Sequence, residues 1–369
     1  MNTAGRFLAQ LAGAACAAAC IAAARAQAAD FAVGEAQITV ARPADARGED
    51  SRHLHIIVWY PADSRVAMQP MAEGPPSTPF FLEGAAAPDA AMVSAPGQFP
   101  LIVASHGSGS TAMEMGWLAA ELAARGYIVA AVDHPGNNAL AAQTVAGITL
   151  TWLRAGDLSQ TIDAVLADPR FGARVDRSHI GAAGFSIGGN SVLELAGART
   201  DLSALHAYCA QKPQTPVCSG QASNRPGIAE AAAALALTDS TYRDALAAAG
   251  SSYRDPRVKA VFSIAPALGP QLTPASLKAI AIPIDVVAGS ADPVVPVSDN
   301  AVPVAATIPG AQLHLLASPI GHFTFVTQCA PAGSARFAVL CADTGSVRAD
   351  AHAQAIALAL GFFTATFAR

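Results

Sequence analysis

Ser186 lies in Gly184-Phe185-Ser186-Ile187-Gly188, directly after the apolar run His179-Ile180-Gly181-Ala182-Ala183. A G-x-S-x-G between a strand and a helix has the sequence form of a nucleophile elbow. The turn is sharp, and glycines two positions either side let strand and helix backbones pass without a Cβ clash. The pentapeptide alone is weak, and its flanks strengthen it. Val192, Leu193 and Ala196 recur at helical spacing, which predicts a helix over 187–199. A serine nucleophile needs a base, and the base a group that orients it; behind an elbow, acid and histidine follow the serine in that chain order. Asp292 comes just past the apolar strand 281–290, and His322 follows the strand 312–316 within Ser318-Pro319-Ile320-Gly321-His322-Phe323. Both fall at the carboxyl ends of core strands, where parallel α/β sheets place their ligands. Ser186, Asp292 and His322 are the candidate triad. Asp285, inside a strand, reads as a local pairing group, and His314 as an alternating strand imidazole. Asp299 and Asp343 read as solvated loop charges.

A third part is needed for the developing negative charge. The apolar strand Pro100-Leu101-Ile102-Val103-Ala104-Ser105 runs into His106-Gly107-Ser108-Gly109-Ser110. A glycine-rich turn there supplies one backbone N–H, from Ser108, and the residue after the nucleophile, Ile187, supplies the other. Two fixed donors of this kind contribute about 3 kcal/mol each to a transition state. No phosphate-loop or dinucleotide fingerprint follows, so a nucleotide site is not supported. His106 is expected to stiffen the turn through a backbone hydrogen bond. His134, Trp152, Pro266 and Leu268 leave strand ends on the same edge and are candidate pocket residues, with a supporting hydrogen-bonding role as the alternative for His134.

These residues must be carried by a sheet. Residues 36–40 and 53–60 alternate as paired antiparallel strands, and a Pro-, Ala- and Gly-rich loop spans 61–99. Strand and helix then alternate: strand 101–105, helix 111–125, strand 127–132, helix 157–167, strand 179–183, helix 187–199, strand 258–264. Such alternation implies a mostly parallel α/β sheet of about eight strands, covered by helices on both faces. Residues 200–256 read as a helical insertion with helices at 229–237 and 241–249. The insertion follows the elbow helix, whose C-terminus points away from the catalytic edge, so it is not assumed to be a lid, and the sequence does not say whether it covers the site.

The chain resembles an α/β-hydrolase of the group that includes platelet-activating-factor acetylhydrolases and dienelactone-hydrolase-like esterases. The resemblance rests on Val58-Trp59-Tyr60-Pro61, Ser105 to Ser110, Asp133-His134-Pro135-Gly136-Asn137, Gly184 to Gly189 and Gly321-His322-Phe323, and covers residues 31 to the C-terminus. It implies Ser186, Asp292 and His322 as triad, Ser108 and Ile187 as oxyanion donors, and neither metal nor organic cofactor. Phe185 stands where the group commonly has histidine. Dienelactone hydrolases use a cysteine nucleophile, and Ser186 here means lactone chemistry is not carried over.

Arg6, the apolar run 7–24 and Ala26-Gln27-Ala28 read as a secretory leader cleaved near Ala28, leaving 29–369 as one catalytic domain. Cys16 and Cys20 fall in the leader. The remaining Cys209, Cys218, Cys329 and Cys341 allow three disulfide connectivities, and spacing favours 209–218 with 329–341. Net charge is −5 with 13% charged residues, so there is no basic stripe for nucleic acid, and no later run is long enough for a membrane helix. The expectation is a secreted or periplasmic serine esterase working through an acyl-enzyme on small, phospholipid-type or polymeric esters. A serine peptidase or amidase on the same scaffold, or a non-catalytic binding protein, are the alternatives; oligomeric state is not legible.

Overall fold

Short β-branched and alanine-rich runs rise through the middle of the molecule, and amphipathic helices between them cover both sides. The structure, a computed structural model, describes residues 31–94, 97–219, 227–343 and 346–368. The expected leader, with Cys16 and Cys20, lies outside the described residues.

Among the described residues there are eleven strands: β1 Ala32–Ala41, β2 His53–Ala62, β3 Gln69–Glu73, β4 Phe81–Pro88, β5 Phe99–Ser105, β6 Ile128–Asp133, β7 Val175–Phe185, β8 Val258–Ile264, β9 Ile284–Gly289, β10 Gln312–Leu316 and β11 Gln328–Cys329. Their order is β10-β9-β8-β7-β5-β6-β2-β1-β4-β11, with β3 beside β4. From β10 to β6 all neighbours run parallel, while β2 pairs antiparallel with both β6 and β1. This is the α/β-hydrolase arrangement, wider than the eight strands expected. The loop expected over 61–99 folds into β3 and β4, because Pro70, Gly84 and the alanines at 85–87 hide any strand period. The two-residue β11 is too short to carry a pattern.

The pleat divides the core into two layers. Leu101 and Val103 of β5 pack with Leu158, Ile162, Val192 and Leu193 on one face, under α2 Leu153–Ala167 and α3 Ile187–Ala196. Ile102 and Ala104 face the other way, toward α1 Gly116–Ala124 and the C-terminal helix Val347–Phe367, which buries Ala351, Ala355, Ala359 and Phe363. Each such aliphatic burial contributes roughly 1.5–3 kcal/mol before entropy is counted.

β5 is the topological switch: β6 lies on one side of it and β7 on the other, so the loops leaving β5 and β7 diverge and leave a crevice at the carboxyl edge.

Beyond α3, the insertion forms α4 Leu202–Gln211, a short turn Pro216–Ser219, α5 Ile228–Thr238 and α6 Ser240–Ala247. Asp201 starts α4 by accepting from the Ser203 and Ala204 amides, and Asp239 starts α6 by accepting from that of Tyr242. Along its length α4 places Leu202, Leu205 and Tyr208 on the cavity at the carboxyl edge of the sheet. Disulfides join Cys209 to Cys218 within the insertion and Cys329 to Cys341 after His322.

Candidate active site

The elbow is built by two close approaches. A Cβ on residue 184 would stand 2.3 Å from the Gly188 carbonyl oxygen, and one on residue 188 would stand 2.0 Å from that of Ser105. Only glycine fits at either place. Between them Ser186 takes φ 58°, ψ −119°, sparsely populated for a side-chain-bearing residue and costing roughly 1–3 kcal/mol of strain. Its backbone N–H donates to Ile264 O at 2.9 Å, and its carbonyl accepts from the Asn190 and Ala267 amides, which hold the turn against that strain.

The turn sets Ser186 Oγ 2.9 Å from His322 Nε2, and His322 Nδ1 lies 2.7 Å from Asp292 Oδ2. Asp292 Oδ1 accepts from the amides of Val294 and Val295 at 2.9 and 2.7 Å, which fixes the carboxylate plane. All three residues are buried. With Nδ1–H donated to the carboxylate, Nε2 is left to accept the serine proton. The Phe185 ring lies 5.0 Å from the His322 ring and packs against it, at the position where the resembling group commonly has histidine. The other candidate acid, Asp285, pairs instead with His314 at 2.9 Å on the neighbouring strand.

Ser108 and Ile187 line the same cavity as Ser186 and His322. Gly107 N–H donates to Glu114 Oε2 at 2.9 Å and Gly109 N–H to Asn137 Oδ1 at 2.7 Å, so the amides flanking Ser108 are tied down. Among the described residues, the amides of Ser108 and Ile187 themselves have no acceptor within the protein. Ile187 also opens α3, whose N-terminal dipole favours negative charge. Glu114 was not singled out by sequence; burial pushes its carboxyl up to about 7. The available signal was an acid among apolar residues just before a mostly apolar helix, seven residues past Gly107. His106 bonds through Nδ1 to Gly107 O at 2.6 Å.

The cavity measures about 990 Å³. Of the four expected pocket residues, Leu268 lines it and three do not. His134 is fully buried beneath the Ser108 turn, with Asp157 and Ser105 as partners. Trp152 is fully buried under the insertion, its indole donating to Ala245 O at 3.2 Å. Pro266 backs the elbow, close to Gly189.

The walls come from elsewhere. One is the insertion: Leu205, Tyr208 and Val217 line the cavity, as does the α5 face made by Ala229, Ala232, Ala233 and Ala236. The sequence leaves open whether the insertion covers the site; in the structure residues of α4 and α5 line the cavity. Asp299, expected to be a solvated charge, accepts hydrogen bonds from Tyr208 and Lys212 and ties that wall down. The opposite wall holds Phe80, Phe81, Phe337 and Leu340.

Residues 84–151 match the family model of platelet-activating factor acetylhydrolase, isoform II, a stretch that contains the Ser108 turn and stops before Ser186. No curated protein matches the chain. Among solved structures, a ferulic acid esterase from Streptomyces cinnamoneus is similar over 93% of this chain and 92% of that one, with 21% identity and a TM-score of 0.59. No helix among the described residues is long and apolar enough to cross a membrane.

Proposed function

We propose that this chain, an α/β-hydrolase whose resemblance runs to the platelet-activating-factor acetylhydrolase and esterase group, is a serine carboxylic-ester hydrolase. The observation that carries the reading is the buried hydrogen-bonded line from Ser186 Oγ through His322 to Asp292, opening on the 990 Å³ cavity. His322 takes the proton as Ser186 Oγ attacks the ester carbonyl, and Asp292 holds the imidazole tautomer and offsets its charge. The Ser108 and Ile187 amides receive the developing oxyanion. His322 then protonates the departing alcohol, and water repeats the sequence to release the acid.

Both neighbours in kind, a family of acetylhydrolases and a ferulic acid esterase, act on esters by their names, which supports the ester over the amide. The cavity walls are mainly aliphatic and aromatic, which favours an ester with an apolar acyl or aryl part. Two disulfides favour an oxidising location, secreted or periplasmic, after removal of the leader near Ala28.

The test is hydrolysis of p-nitrophenyl esters of increasing acyl length, with Ser186→Ala and His322→Ala alongside. Each variant should fold and lose three or more orders of magnitude in kcat, on the order of what triad removal costs elsewhere. A folded Ser186→Ala with near-full activity would end the proposal.

A further inference from the structure

The oxyanion turn hangs from the end of β5, and the hydroxyl at that end is engaged. Ser105 Oγ lies 2.9 Å from His134 Nε2, and His134 Nδ1 lies 2.9 Å from Asp157 Oδ2. The connectivity repeats that of Ser186, His322 and Asp292. Yet all three side chains are fully buried and none lines the cavity, so no substrate carbonyl reaches Ser105.

The direction of the hydrogen bonds is fixed. Arg47 donates to both Asp157 oxygens at 2.6 and 2.7 Å, and Arg42 adds a third bond at 2.9 Å. Burial works to raise the Asp157 carboxyl, but the Arg47 guanidinium holds it well below the usual carboxylate range. A carboxylate only accepts, so His134 Nδ1 carries a proton. Burial and the nearby Arg154 charge push the His134 imidazolium down to about 3. The ring is therefore neutral, and Nε2 accepts from the Ser105 hydroxyl.

Ser105 stands close to both halves of the oxyanion pair. Ser108 is three residues along the chain, and the Ser105 carbonyl is the atom against which Gly188, next to Ile187, is packed. His134 also donates its backbone N–H to His106 Nε2 at 3.2 Å, and Arg154 Nη2 donates to His106 O at 2.5 Å.

The geometry points to His134 as a positioning residue for the oxyanion pair: backed by Asp157, it pins Ser105 and so sets the separation of the Ser108 and Ile187 amides. This rests on the reading that those two amides receive an oxyanion. A displacement of about 1 Å at such a site costs on the order of 100-fold in rate. The cavity walls that bind the ground-state ester lie on other elements, so KM is insulated from the change.

The test uses the full chain carrying Ser105→Ala or His134→Ala, assayed with the best p-nitrophenyl ester and with the trifluoromethyl ketone analogue of that ester as a reversible tetrahedral inhibitor. Expected is a fall in kcat of roughly 10- to 100-fold, with KM within about twofold and an inhibitor Ki raised by the same factor. A folded variant with wild-type kcat and Ki overturns the inference. So does one in which KM changes while Ki follows substrate affinity, since that is general distortion. If His134→Ala does not fold, Ser105→Ala decides alone, because it removes one oxygen. Wild-type turnover that survives Ser186→Ala removes the esterase reading itself; turnover that needs Ser186 and ignores Ser105→Ala removes only this inference.

Discussion

Tyr208 of the insertion donates a 2.8 Å hydrogen bond to Asp299, seven residues past Asp292 on the segment that carries the proposed catalytic acid. Lys212 reaches the other oxygen of the same carboxylate at 2.6 Å. The cavity wall and the catalytic loop are thus fastened at one point.

Asp299→Ala should release that wall while leaving the triad untouched. A charged hydrogen bond contributes about 1.5 kcal/mol or more, so KM for long-acyl esters is expected to rise up to about tenfold while kcat on the acetate stays level. Measuring KM across the acyl series checks this; an equal effect on every ester would contradict it.

Stability should carry a pH signature from Glu194. Burial pushes its carboxyl up to about 8, against 4.5 for the free group, while Thr200 donates to it at 2.6 Å. The folded chain therefore holds this proton through neutrality and the unfolded chain does not. Its contribution is complete below pH 4.5 and is lost as pH rises through about 8. Glu194→Gln keeps the neutral shape, so its Tm relative to wild type should climb by several degrees between pH 5 and pH 9. On the acid side His134 acts in the opposite sense. The unfolded chain binds a proton near 6.5 that the folded chain refuses until about 3, so wild-type stability also falls as pH drops below 6.5.

Two glycines give opposite expectations for the same substitution. Gly188→Ala drives a methyl into the Ser105 carbonyl and should cost about 3 kcal/mol or more, with loss of activity. Gly156, inside α2, has open space where a methyl would go, with nothing within 4 Å, and Gly156→Ala should gain about 0.5–1 kcal/mol. Thermal melts of the pair, with the ester assay, test both signs.

Much of the central sheet could be read from the sequence, because the stretches 101–104 of β5, 180–183 of β7, 260–262 of β8 and 286–288 of β9 are short, apolar and buried. The positions of Asp292 and His322 followed from strand ends. What stayed hidden depended on tertiary direction. Nothing local in α4 says that it lines the cavity. Asp157 is a charge within the buried stripe of Leu158, Thr161, Ile162 and Val165, and that irregularity was the available sign of a buried partner for His134. His134 was drawn to the pocket by its place after β6, but the side chain points beneath the turn.

The Cys329–Cys341 bridge encloses Phe337 and Leu340, both on the cavity wall. Replacing both cysteines by serine should cost about 2–4 kcal/mol of stability and lower kcat/KM, since the wall loses its clamp. Wild-type kcat/KM in the double variant would show that the wall holds its shape unaided.

Beyond Ile228 at its start, the α5 face toward the cavity is methyl groups, at positions 229, 232, 233 and 236. Alanine becomes valine, threonine or serine by a single base change in its codon, so the bore of the cavity can be narrowed or made polar one step at a time. None of those steps touches Ser186, His322 or the sheet. The proposed catalytic residues and the cavity wall beside them thus lie on separate pieces of chain, free to diverge at different rates.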